Sequence, residues 1–136
     1  KIWERKALAE MQRNPRYLWK GERAGWEVRR EFSKTNLMLI SSRSEGGANV
    51  ISEALAAGVP IIASKIHGNV GMLGKDYLGY FNVGDELSLR ALLLKCENDE
   101  VFMRKLNTSC SVRSELFNFA EEERRWKHLI NEVRQK

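Results

Sequence analysis

Between Leu37 and Ala63 the chain reads as strand, loop, helix and strand within about 27 residues, and no other stretch limits its fold so tightly. Leu37-Met38-Leu39-Ile40 is a continuous apolar run bounded by polar residues, which suits a strand buried on both faces of a parallel sheet. A glycine-bearing loop follows, then a helix from about Asn49 to Ala57. Gly58 accepts the left-handed cap and Pro60 cannot continue a helix, so the stop is firm. Pro60-Ile61-Ile62-Ala63 is the next buried strand. This is a βαβ unit, and its crossover is expected to be right-handed. The expected fold is α/β, a parallel sheet with flanking helices.

The rest of the chain fits around that unit. Ile2 to Met11 reads as a helix with Trp3, Ala7 and Met11 on one face, stopped by Pro15. Tyr17 to Trp19 is a short strand candidate ending at Gly21, and Gly25 to Lys34 a surface helix with Trp26 and Phe32 facing inward. Gly79-Tyr80-Phe81 is a third, weaker strand. From Glu86 onward the pattern is helical. Leu87, Ala91 and Leu94 mark one face, and Phe102, Leu106 and Cys110 another. Trp126, Leu129, Ile130 and Val133 form the clearest amphipathic stripe, with His128 a structural residue of the same helix.

Charge and cysteine content exclude several classes. The net charge of +5 resolves into +5 over residues 1–34, −3 over 35–100 and +3 over 101–136. The basic residues thus lie on the flanks, interleaved with Glu as on solvated helices, while the glycine-rich middle is acidic. No nucleic-acid motif accompanies them, so a nucleic-acid partner is not expected. Apolar runs such as Val59 to Ala63 fall far short of the roughly 20 residues of a membrane span, and no leader-like start is seen. Cys96 and Cys110 form no CxxC pair and read as small hydrophobes in a reduced, cytoplasmic setting. No His/Asp/Cys cluster has the spacing of a metal site, and no cofactor is expected.

The chemistry is concentrated between Ser41 and Asp85. Ser44-Glu45-Gly46-Gly47-Ala48-Asn49-Val50-Ile51-Ser52-Glu53 starts where a buried strand ends and runs into a helix. In open α/β sheets that carboxyl edge is where ligands bind. Gly46 and Gly47 let backbone approach a ligand closely, and the free N–H groups at the helix start suit an anion. Glu45 and Glu53 can each accept two hydroxyls from a vicinal diol. An anion cradle flanked by two hydroxyl-binding acids is what a sugar nucleotide needs. A glycine-bearing turn is also an ordinary structural device, and a Glu near a helix start also a dipole partner. The spacing alone leaves both readings open.

The run from Ser42 through Glu45, Glu53, Gly58 and Pro60 to Ser64 resembles the donor-binding signature of GT-B, family 4 glycosyltransferases. That signature has two glutamates separated by seven residues, a small-residue helix, Gly-x-Pro and an apolar strand. Gly68-Asn69-Val70-Gly71-Met72-Leu73-Gly74, Asp76-Tyr77, Gly79-Tyr80-Phe81 and Val83-Gly84-Asp85 resemble a bacterial branch that includes the selenosugar synthases, as do Arg16-Tyr17-Leu18-Trp19 and the Trp126 helix.

The resemblance implies a Rossmann-like sheet that is part of the C-terminal, nucleotide-sugar-binding domain of a GT-B fold. This domain would span residues 1–136, with a core at 16–85 and C-terminal helices at 86–136. It implies a retaining hexosyltransferase whose donor, a UDP-sugar, is a substrate and not a cofactor. Glu45, the candidate catalytic residue, would hold donor-sugar hydroxyls, and Glu53 the ribose. The amides of Gly46, Gly47 and Ala48, with Asn49, would meet the sugar or diphosphate. Gly47-Ala48 departs from the aromatic or Pro, then Gly, that usual members carry.

Asn69 is preferred to His67 as a further ligand contact, because its amide serves hydroxyls without ionising. Arg43 and Lys65 reach phosphate or are simply solvated. An N-terminal acceptor domain, and the strands between Tyr17–Trp19 and Leu37–Ile40, are expected to lie elsewhere in a longer chain, without which turnover is not expected. Alternatively an oligomer covers the exposed sheet edge. The rival function is a non-catalytic sugar-nucleotide-binding or assembly module.

Overall fold

Three parallel strands make the sheet, and each pairs with the next in sequence. β1 (Met38–Ile40) lies beside β2 (Ile61–Ser64), with Leu39 opposite Ile62. β2 lies beside β3 (Tyr80–Phe81), with Ala63 opposite Tyr80. Consecutive parallel strands need a crossover, and helices supply both. α3 (Asn49–Ala56) joins β1 to β2, and α4 (His67–Leu73) joins β2 to β3. Ahead of the sheet stand α1 (Ile2–Arg13) and α2 (Gly25–Phe32). After it come α5 (Glu86–Asn98), α6 (Glu100–Ser114), a 3-10 turn (Glu115–Phe117) and α7 (Phe119–Arg134). The computed structural model describes residues 2–117 and 119–134. The fold is therefore α/β with a parallel sheet, flanking helices and a helical C-terminal region.

β2 is the centre of the molecule. Its four residues are all buried, Ile61, Ile62 and Ala63 as an apolar run between two neighbouring strands and Ser64 as a buried polar end. Ile51, Ala54 and Leu55 of α3 cover it, and their i, i+3, i+4 spacing is the reason one helix face can do so. Phe102, Leu106 and Cys110 of α6 add a second cover, at the spacing that the sequence predicts. Tyr77 stands among them, its hydroxyl donating to the Ile61 carbonyl and lying 3.1 Å from Cys110 Sγ. Burial pushes that hydroxyl, and both cysteine thiols, above their ordinary pKa.

Several expectations need correction. Tyr17–Trp19 forms no strand, because no described strand lies beside it to pair with its backbone groups. β1 is not buried on both faces: as the sheet's edge it has one neighbour, and Leu39 is 44% exposed. On α2, Phe32 and Val28 pack inward, whereas Trp26 is exposed. On α5 the packed residues are Leu89, Leu92 and Cys96, not the Leu87, Ala91 and Leu94 face. Leucines surround that helix, so its sequence offers more than one apolar stripe. Trp126, Ile130 and Val133 of α7 are exposed, and the side chain of Leu129 lies outside the described residues. No helix among the described residues is long and apolar enough to cross a membrane.

Candidate functional site

The loop 41–48 leaves the carboxyl end of β1 and is held from two sides. Ser42 Oγ donates to Glu45 Oε1 at 2.7 Å, which fixes one carboxylate oxygen and leaves the other open. Ser64, the last residue of β2, donates through Oγ to the Ser42 carbonyl at 2.6 Å. The loop then turns at Gly47, whose φ of 134° belongs to the region that favours glycine. Gly68 lies so close to the Glu45 carbonyl that a side-chain carbon there would overlap it and stand 3.0 Å from the Gly47 nitrogen. The loop 41–48 after β1 and the first turn of α4 after β2 thus meet backbone to backbone.

The loop ends at Ala48, the N-cap of α3, which makes no side-chain capping bond. A methyl group has no oxygen to offer, so no capping side chain answers the amides of the first turn. They face the same carboxyl edge of the sheet from which the loop springs. Glu53 stands one turn further along α3, half-buried, with Arg29 of α2 at 3.6 Å. A guanidinium at that distance steadies the carboxylate without using up its acceptor sites.

Glu45, Gly46, Gly47 and Asn49 come together as exposed residues along this lip, while Ala48 is buried where the chain enters α3. Asn69 takes a different place. It is fully buried, and its Nδ2 donates to the Ser64 carbonyl at 2.9 Å and to Ser64 Oγ at 3.3 Å. Its Oδ1 finds no partner among the described residues. Asn69 therefore braces the end of β2 and has no exposed surface of its own. His67 is exposed and lines a concavity with Arg43 and Lys65.

Sequence spacing did not point to Ser42, Ser64 or Arg29 as supports of the two acids. Arg29 meets Glu53 only because α2 packs on α3, and no local periodicity carries that signal. Other residues of the downstream motifs hold the fold. Asp85 caps α5 by accepting from the Ser88 amide at 2.9 Å. Tyr80 donates to the Gly74 carbonyl at 2.8 Å, and burial pushes its hydroxyl pKa up to about 12. Among the described residues, no group of three or more His, Cys, Asp or Glu is placed to hold a metal ion.

The model of the family described as "Glycosyl transferases group 1" matches residues 4–117. No curated protein matches the sequence.

Proposed function

This chain belongs to the glycosyl transferases group 1 family, and from that premise we propose that it binds the nucleotide-sugar donor of a retaining hexosyltransferase. The observation that carries this reading is the uncapped start of α3, set between two supported carboxylates. Helices normally satisfy their first amides with Ser, Thr, Asp or Asn. Here the Ile51 amide bonds the Ala48 carbonyl at 2.8 Å, and the amides ahead of it, with the positive end of the helix dipole, are left for an anion. The donor diphosphate meets them. Glu53 accepts the ribose hydroxyls, and Glu45 accepts hydroxyls of the transferred hexose.

In the reaction, negative charge grows on the diphosphate as the bond to the anomeric carbon breaks. Amides already aimed at that position stabilise it without reorganising. Glu45, with one oxygen fixed by Ser42, orients the sugar so that the anomeric carbon stays open to an acceptor hydroxyl. The acceptor comes from a second domain across a cleft, and in this proposal the isolated chain binds donor without turnover. UDP is the base favoured by the family resemblance, the setting is the bacterial cytoplasm, and the selenosugar synthase-like branch is the finer assignment we propose.

Calorimetric titration with UDP, UDP-N-acetylglucosamine and GDP, beside a Glu53→Ala control, tests the reading. Loss of the diol acceptor is expected to weaken UDP binding by about 1–3 kcal/mol. Equal UDP affinity in the wild type and in folded Glu53→Ala would place the nucleotide elsewhere and overturn it.

A further inference from the structure

Arg43, Lys65, His67 and Lys75, with Ser44 and Ile66, line a cavity of about 600 Å3 beside the Glu45 loop. No acidic side chain lines it. None of the four basic-type side chains makes a hydrogen bond or ion pair among the described residues. Elsewhere Lys20, Arg23, Arg29, Arg104 and Lys127 each stand beside a glutamate, and Lys6 and Lys95 each lie over an aromatic ring. Residues 35–100 have a net charge of −3 and only five Lys/Arg, and three of those five converge here. Like charges gathered without a counter-ion repel, and a concave wall focuses their field. An anion from outside would relieve that repulsion.

The position of the cavity narrows what brings the anion. Along the loop, Arg43 and Ser44 come before Glu45, whereas the amides of 46–48 and then Glu53 come after it. With ribose at Glu53, diphosphate at the amides and hexose at Glu45, the cavity lies beyond the hexose, away from the nucleotide. Its volume is that of a small-molecule site and exceeds what a lone phosphate fills. We propose that it is an anion subsite for a phosphate or carboxylate carried on the sugar side of the reaction, by the donor's hexosyl group or by the acceptor. The inference rests on the donor orientation proposed above. Lys65 and Lys75 act as point charges toward the anion, and Arg43 can engage it in a bidentate pair.

Two matched pairs of probes separate the carriers in calorimetric titrations of the chain. Glucose 6-phosphate against glucose tests an acceptor-borne anion. UDP-glucuronate against UDP-glucose tests a donor-borne one. In one of the pairs the charged member is expected to bind about tenfold or more tightly than the neutral one. The Lys65→Ala/Lys75→Ala variant is expected to erase that advantage while leaving UDP affinity unchanged. The proposal is overturned by an advantage that survives the double substitution, or by no advantage in either pair when circular dichroism shows the chain folded. It is also overturned if the double variant loses UDP affinity about tenfold, since the cavity then serves the diphosphate. A wrong donor assignment has a separate signature: UDP binding that ignores Glu53→Ala.

Discussion

The β1–α3–β2 unit and the four tryptophans divide the apolar content of this chain in opposite ways. In the unit, Ile51, Ala54, Ile61, Ile62 and Ala63 are completely buried. Outside it, Trp3, Trp19, Trp26 and Trp126 range from 39% to 76% exposed, although they are the largest hydrophobic side chains present. On α1 only Ala7 is buried. Burial in this protein follows the layers and not the size of the side chain. A strand with neighbours on both edges and helices packed on it has no water left to meet. A helix standing at the margin keeps its tryptophan wet, with Lys6 4.7 Å from the Trp3 ring centroid.

Three perturbations sharpen or break that contrast. The largest effect is expected for Ile61→Ala, which opens a cavity in the central strand and should cost about 2–5 kcal/mol. Urea unfolding checks it, and a cost comparable to a surface change would mean that β2 is not the centre of stability.

Gly68→Ala should come next. Its methyl group meets backbone on both near sides, and backbone cannot swing away as a flexible side chain can. The expected cost is about 1–3 kcal/mol in stability, together with weaker UDP binding as the Glu45 loop is displaced. A variant as stable as wild type and with equal UDP affinity would show that the two loops are not mechanically joined.

The smallest effect is expected for Trp3→Ala, at about 0.5 kcal/mol or less. In the same vein, the intrinsic fluorescence of the native chain should be that of water-exposed indoles, readily quenched by acrylamide. A blue-shifted, protected emission would mean that the tryptophans are covered in solution.

What could be read from the sequence divides along the same line. Pro60-Ile61-Ile62-Ala63 was legible because a run buried on both faces leaves no doubt about direction. The Phe102, Leu106 and Cys110 face was legible because few apolar residues compete with it on α6. Tyr17–Trp19 was not, since a strand exists only where another strand accepts its backbone, and pairing is a long-range fact. Leu87, Ala91 and Leu94 misled because α5 carries leucine on more than one side.

At the lip, chain order alone put Glu45 and the glycines just after β1 and Glu53 on the helix that follows. Supports from distant segments did not show: Ser64 reaches across to the loop, and Arg29 comes from another helix. Lys75, beyond the far end of α4, joins Arg43 only through the fold.

The backbone contact between Gly68 and Glu45 has an evolutionary consequence. It welds the Glu45 loop to the start of α4 through atoms that every residue type shares, and the strict demand of that contact falls on Gly68. Positions 65, 67 and 75, whose side chains are exposed, are free of that demand. A lineage can therefore exchange the charges of the cavity wall one at a time while Glu45 keeps its place.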